Sequence, residues 1–317
     1  MINSIEKTWF RYKDSLLPNV LALFYCHLAY FGGAALILSL NPVLMIGGTL
    51  AMAHGMVIAA YLIHDCGHNA LFKSPRHNAM MGEALNWLTG GCYGNYGDLR
   101  ATHMHHHVDG VDVTTLDYRG YLAKHPVQRK TVEVLEWLYV PAVELIMHGV
   151  LILAPFLFKE KMDQRLRVTR VAVIRLSLLL ALLLYSPLAY VCYLLAYIIL
   201  VTVLRFMDAL QHNYGVVVLA HADKTELIKH RGDRNYEQSH TFSNPISVKH
   251  PWLNLLTLNF GYHNAHHARP TTPWHALPAL HEALYGDDSE THGEQFAQRL
   301  WNGSAVGVSG VSFLTPF

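Results

Sequence analysis

The chain is organised by long apolar runs separated by polar, basic stretches. Residues 20–40 carry no charge, and after Asn41-Pro42 residues 43–63 repeat the pattern. A bilayer core about 30 Å thick needs roughly 20 mostly apolar helical residues, so each run is long enough to cross one. An Asn-Pro turn with no charge on either side predicts a helical hairpin. Residues 171–204 are too many for one helix, hold Arg175 as their one charge, and are broken by Ser186-Pro187. That break predicts two further spans, at 171–186 and 187–206. Residues 137–158 are also apolar but include Pro141, Glu144, His148 and Pro155. Such a segment is expected to lie in the membrane interface or to dip in and return, with a true span as the alternative.

The positions of the cations set the expected orientation. Both hairpin turns lack Lys and Arg, whereas Lys7, Arg11 and Lys13 precede the first run and basic residues stud 64–136, 159–170 and everything after Arg205. By the positive-inside rule these basic segments face the cytoplasm. The expected fold is an all-α integral membrane protein forming a single domain over 1–317. It has two transmembrane helical hairpins (four spans), an interfacial or re-entrant segment at 137–158, and a helical cytoplasmic cap from 64–136 and 207–300. In the second run Gly47, Gly48 and Gly55 leave space for close helix packing or for a ligand, and close packing is the simpler use.

Composition adds one anomaly. Of 317 residues, 22 are His, against only 15% charged residues and 52% hydrophobic ones. The apolar content excludes a disordered chain. A balance of 24 Lys+Arg against 23 Asp+Glu argues against a nucleic-acid binder. The four cysteines show no paired spacing, so neither a disulfide framework nor a thiolate zinc site is expected.

Eight histidines fall into three groups. The second run ends in HDCGH, with His64 and His68 one helical turn apart. HMHHH places His103, His106 and His107 at i, i+3 and i+4, and HNAHH repeats that spacing with His263, His266 and His267. Eight imidazoles exceed what one ion uses, so two ions are expected. Imidazole suits Zn, Cu, Fe and Ni alike. His105 is turned away from His103 by the helical spacing and is expected beside the site or in solvent. His27, His54 and His148, single in apolar segments, are expected to be hydrogen-bonded interior residues rather than ligands.

HDCGH, HMHHH and HNAHH resemble the three histidine boxes of the membrane fatty acid desaturase and hydroxylase superfamily, in order, spacing and placement against two helical hairpins. The stretch LNLLTLNFGYHNAHHARPTTPWHALPALH is similar to that family's third-box region. The resemblance implies a non-haem di-iron centre, two Fe ions with O2 as co-substrate, attacking an unactivated C–H bond with two external electrons. It implies that His64, His68, His103, His106, His107, His263, His266 and His267 are metal ligands. In RFMDALQHNYG, LQH is similar to the family's additional ligand position, which makes His212 a ninth candidate. Asp208 lies four residues earlier and is a possible ligand or partner of His212. Asp65, beside His64, is better suited to fixing an imidazole tautomer.

The expected activity is that of a fatty acyl (lipid) desaturase acting on an acyl lipid, acyl-CoA or acyl-carrier substrate at the membrane lipid surface, with the metal site on the cytoplasmic side. The chain has no dinucleotide fingerprint and no iron–sulfur cysteine set. An external electron donor of ferredoxin, rubredoxin or cytochrome b5 type is therefore implied. Basic residues of the cap, including Arg76, Arg100, Arg119, Lys124, Arg231, Arg234 and Lys249, suit an acidic carrier or an acyl headgroup, and equally the positive-inside rule. The alternatives are a hydroxylase or ketolase with the same metal site and a desaturase of a non-lipid specialised metabolite. The third box begins with His263 rather than Gln, unlike the front-end branch. A membrane metal transporter or sensor would need polar groups along the spans, and beyond His27, His54 and Arg175 these offer little.

Overall fold

The computed structural model describes residues 9–114, 116–208, 211, 212, 214, 217–219 and 229–286. The part of the expected cap beyond residue 286, together with Lys7, lies outside them. The first two apolar runs form α1 (Leu16–Leu38) and α2 (Pro42–Gly67). At the turn Asn41 Oδ1 accepts the N–H groups of Val43 and Leu44 at 3.1 and 3.3 Å, and Pro42 opens α2, where its missing N–H leaves nothing unsatisfied. The hairpin packs closely through glycine. A Cβ on Gly33 would lie 2.6 Å from the Gly48 carbonyl oxygen, and one on Gly48 would lie 2.6 Å from that of Gly33. The small residues of α2 therefore serve helix approach, although Gly47 faces open space.

After α2 come α3 (Pro75–Thr89) and α4 (Tyr96–Asp109). A three-residue strand, β1 (Asp112–Thr114), precedes α5 (Tyr118–Lys124), α6 (Pro126–Trp137) and α7 (Ala142–Leu157). The second hairpin is α8 (Arg165–Tyr185) and α9 (Pro187–Asp208). Then follow β2 (Val217–Leu219), α10 (Arg234–Ser239), α11 (His263–Ala268) and α12 (Leu277–Tyr285). Among the described residues four helices are long and apolar enough to cross a membrane: α1, α2, α8 with its preceding turn (Lys159–Tyr185), and α9. They match the four expected spans to within a few residues, except that the third begins 12 residues earlier, at Lys159 rather than 171. Most of α2 is buried among its neighbours, whereas α8 turns outward along nearly its whole length. The Tyr185 hydroxyl donates to the Leu38 carbonyl at 2.8 Å, so both hairpin turns lie at one end of the bundle.

The segment expected at 137–158 is helical from Ala142, and α6 and α7 meet at 112°. At 16 residues, α7 is about 24 Å long, short of a bilayer core on its own. Its base is fastened to α9 by buried charge. Arg205 Nε donates to Glu136 Oε2 at 3.1 Å and Arg205 Nη1 lies 3.7 Å from Glu144 Oε1, all three side chains being at most 2% exposed. Glu136 Oε1 also accepts the Val143 N–H at 3.0 Å, which caps the start of α7.

One element departs from the all-helical expectation for the cap. β1 and β2 pair in parallel, Asp112 with Val217, Val113 with Val218 and Thr114 with Leu219. Gly110, at φ +60°, ends α4 in the left-handed region, and the β-branched run that follows extends. The pairing ties the segment after the second histidine box to the one after His212.

Candidate metal centre

Each proposed box is carried by an element that ends beside the same cavity. α2 stops at Gly67, placing His64 on its last turn and His68 just past it. α4 starts where Asn95 Oδ1 accepts the Asp98 N–H at 2.8 Å and brings His103, His106 and His107 inward. α11 does the same for His263, His266 and His267. His212 follows α9 and forms an isolated antiparallel bridge with Thr241. All nine side chains are buried, at 0 to 8% exposure.

Among the described residues the nine divide into two sets. His64, His68, His103, His107 and His266 form a group of five, and His106, His212, His263 and His267 a group of four. The boxes therefore do not map one to one onto the sets. Successive helical residues are about 100° apart, so the i and i+4 residues of a box share a direction and the i+3 residue points elsewhere. His103 and His107 join one group while His106 joins the other; His263 and His267 join one while His266 joins the other. The i, i+3, i+4 spacing, which the sequence presents as one converging set, is a means of feeding two sites from one helix.

The ring nitrogens converge on common points. In the group of five, His103 Nε2 lies 2.7 Å from His68 Nε2 and 3.1 Å from His107 Nε2, and His266 Nε2 lies 3.3 Å from His107 Nε2. In the group of four, His212 Nε2 lies 2.7, 3.0 and 3.1 Å from the Nε2 atoms of His263, His267 and His106. Two tautomers are fixed from behind: His106 donates Nδ1–H to the Val111 carbonyl at 3.0 Å, and His267 donates Nδ1–H to Glu237 Oε1 at 2.8 Å. Their Nε2 atoms thus carry lone pairs aimed at other imidazole nitrogens. Two nitrogens each about 2.1 Å from one ion are about 3.0 Å apart at a right angle, so this crowding of lone pairs is the spacing a shared cation relieves. Burial holds eight of the imidazoles neutral. It lowers His106 to about 4 and His68, His103, His107, His212, His263, His266 and His267 well below the ordinary histidine range. A neutral imidazole is the form that binds metal, and the donor set fits two metal ions.

The carboxylates divide differently from the sequence expectation. Asp208 is 5% exposed and belongs to neither group. Asp65 Oδ1 lies 3.7 Å from His64 Nδ1, beyond hydrogen-bond range, while its Oδ2 accepts the Trp274 N–H at 3.3 Å. Glu237, which belongs to no sequence motif, sits 4% exposed against both groups, 2.8 Å from His267 Nδ1 and 3.7 Å from His107 Nδ1. Burial pushes its carboxyl up to about 7, with Arg234 pulling the other way. A lone glutamate in a short polar helix has no spacing signal that would single it out.

Four further histidines sit as expected. His105 is 44% exposed and pairs with Asp109 at 3.0 Å. His27 and His148 donate Nδ1–H to the carbonyls of Leu23 and Glu144 at 2.8 and 2.9 Å. His54 Nε2 donates to the Leu256 carbonyl at 3.1 Å, which leaves Nδ1 to accept from the Tyr25 hydroxyl at 2.5 Å.

Two surroundings complete the site. Toward the bundle, Phe260 packs at 5.2 Å on His64, 5.0 Å on His263 and 4.7 Å on Tyr61, which lies one turn deeper in α2. On another side a cavity of about 440 Å³ opens beside His68, His107 and Glu237, rimmed by Arg11, Arg100 and Arg234. Each arginine spends part of its guanidinium on a carbonyl of a histidine or of its neighbour: Arg11 on Asn69 at 3.0 Å, Arg100 on Gly67 at 2.8 Å and Arg234 on His267 at 3.2 Å.

Comparison with known proteins agrees with this geometry. Residues 40–299 match the fatty acid desaturase family, a stretch that contains all nine clustered histidines. No match to a curated protein was found.

Proposed function

The chain belongs to the fatty acid desaturase family, and from that premise we propose that it is an O2-dependent fatty acyl desaturase that inserts a C=C bond with a histidine-held di-iron centre. The observation that carries the reading is the pair of buried all-imidazole groups at the end of a membrane-spanning hairpin. His64, His68, His103, His107 and His266 would hold one iron, and His106, His212, His263 and His267 the other. When bound, the irons supply the activation of O2 and the removal of hydrogen from an unactivated C–H bond.

The chain's own part is positioning and exclusion. Neutral imidazoles leave the full charge of the metals uncompensated at the ligand shell, and Val111 and Glu237 hold the rings of His106 and His267 in the metal-binding tautomer. Phe260 and Tyr61 form an apolar wall between the histidines and the membrane interior. A hydrocarbon chain rising from the bilayer meets that wall before it meets water, which favours an acyl substrate held with its headgroup at the surface. The arginine-rimmed cavity gives the five-histidine group an opening toward solvent, suited to an external electron donor with an acidic face. The histidines lie at the opposite end of α2 from the Asn41 turn, the end where the basic segments gather, which favours a cytoplasmic site.

Mass spectrometry of lipids from cells expressing the chain, with a His106→Ala control, tests the reaction. The expected product has lost two hydrogens and disappears in the control. A product that has gained one oxygen makes the enzyme a hydroxylase, and no His106-dependent lipid product contradicts the acyl reading.

A further inference from the structure

Glu237 stands on α10, a six-residue helix whose first turn is capped by Asp233, with Oδ1 accepting the N–H groups of Asn235 and Tyr236 at 3.1 and 3.0 Å. Its segment is fastened to the metal centre on several sides. Thr241 Oγ1 donates to the Glu237 carbonyl at 2.7 Å, and Thr241 itself bridges to His212. Arg234 Nη1 lies 3.4 Å from Glu237 Oε2 and donates to the His267 carbonyl at 3.2 Å. These contacts hold the Glu237 carboxylate beside the histidines.

What it faces is specific. Oε1 accepts Nδ1–H from His267, a member of the four-histidine group, and lies 3.7 Å from Nδ1 of His107, a member of the five-histidine group. The two rings stack at 4.0 Å with 27° between their planes, so one carboxylate oxygen addresses both from the same edge. Both rings turn Nε2 toward their own group. Binding a metal through Nδ1 as well would require each imidazole to lose its second proton, so the carboxylate acts through the rings.

We propose that Glu237 is a positioning residue shared by the two metals, an anion that orients His267, biases His107 and sets the electron affinity of both sites together. The assignment rests on the di-iron reading above. A carboxylate behind a ligating imidazole fixes its orientation and raises its basicity, and losing such a partner typically costs roughly 10–100-fold in metal affinity or activity. A negative charge beside both ions also favours their more oxidised state.

The test compares wild-type, Glu237→Gln and Glu237→Ala proteins purified in detergent, titrated anaerobically with ferrous iron and read by Mössbauer spectroscopy and redox titration. Glu237→Ala is expected to weaken iron at the four-histidine site by roughly 10–100-fold, because the His267 hydrogen bond is lost. Glu237→Gln keeps an acceptor oxygen and nearly the same shape while removing the charge. It is expected to retain two irons, to perturb the signals of both, and to raise the midpoint potential. A merely structural glutamate would change thermal stability and leave the potential alone. A Glu237→Gln protein with wild-type potential and spectrum overturns the assignment, as does one altered at a single iron; it decides the matter even if Glu237→Ala does not fold. A wild-type chain that takes no iron sinks the di-iron reading, whereas two wild-type irons beside unresponsive variants sink the role of Glu237 alone.

Discussion

His106 and His107 are neighbours in sequence and belong to different metal groups, and both carry the consequence of burial. His106 is lowered to about 4 and His107 well below the ordinary range, while in an unfolded chain each would titrate near about 6.5. Between those values the unfolded state binds protons that the folded state refuses, so stability present above about pH 6.5 is lost as the pH falls toward the folded values. The metal-free protein is expected to lose thermal stability steadily from about pH 7 to about pH 5, with the metal-loaded protein holding its Tm further into that range. Thermal unfolding at several pH values checks this, and a flat metal-free profile contradicts it. At this scale the ligand candidates were legible because imidazoles at helical spacing are rare and their chemistry is narrow. Their division into two sets was not, because i+3 and i+4 look alike until a second helix supplies the partners. Glu237 was invisible for a related reason: its role is created by contacts with His107 and His267, which lie 130 and 30 positions away.

The elements show where run length suffices and where it does not. Four apolar runs announce four helices, and Asn41-Pro42 and Ser186-Pro187 announce their turns. The 112° corner between α6 and α7 depends on Glu136, Glu144 and Arg205 meeting across 69 positions of chain, and the three-residue strands β1 and β2 are too short to show a period. Glycine in α2 separates two roles that composition merges. Gly48→Val would drive a side chain against the Gly33 carbonyl oxygen, already 2.6 Å from the Cβ position, whereas Gly47→Ala enters open space. Gly48→Val is expected to cost about 1–3 kcal/mol through overpacking, and Gly47→Ala to be neutral or slightly stabilising. Thermal unfolding in detergent of the two variants checks the contrast, and equal effects would contradict the packing described for α1 and α2.

Across the whole molecule, two hairpins with linked turns leave the opposite end to α4, α11 and the segment around His212, which converge on the end of α2. The near-zero net charge conceals a polarity along this axis, since the hairpin turns carry no Lys or Arg and the histidine end does. In the proposed desaturase an acyl chain threaded from the bilayer would meet the histidine groups at that boundary, where Phe260 packs on Tyr61 and a cavity opens beside His68 and His107. The two imidazole groups are proposed to hold iron and to act as one centre. Elemental analysis of the purified protein tests this most directly: about two irons per chain are expected, with loss when His106 or His103 is replaced by alanine, whereas one zinc per chain and no iron would contradict it.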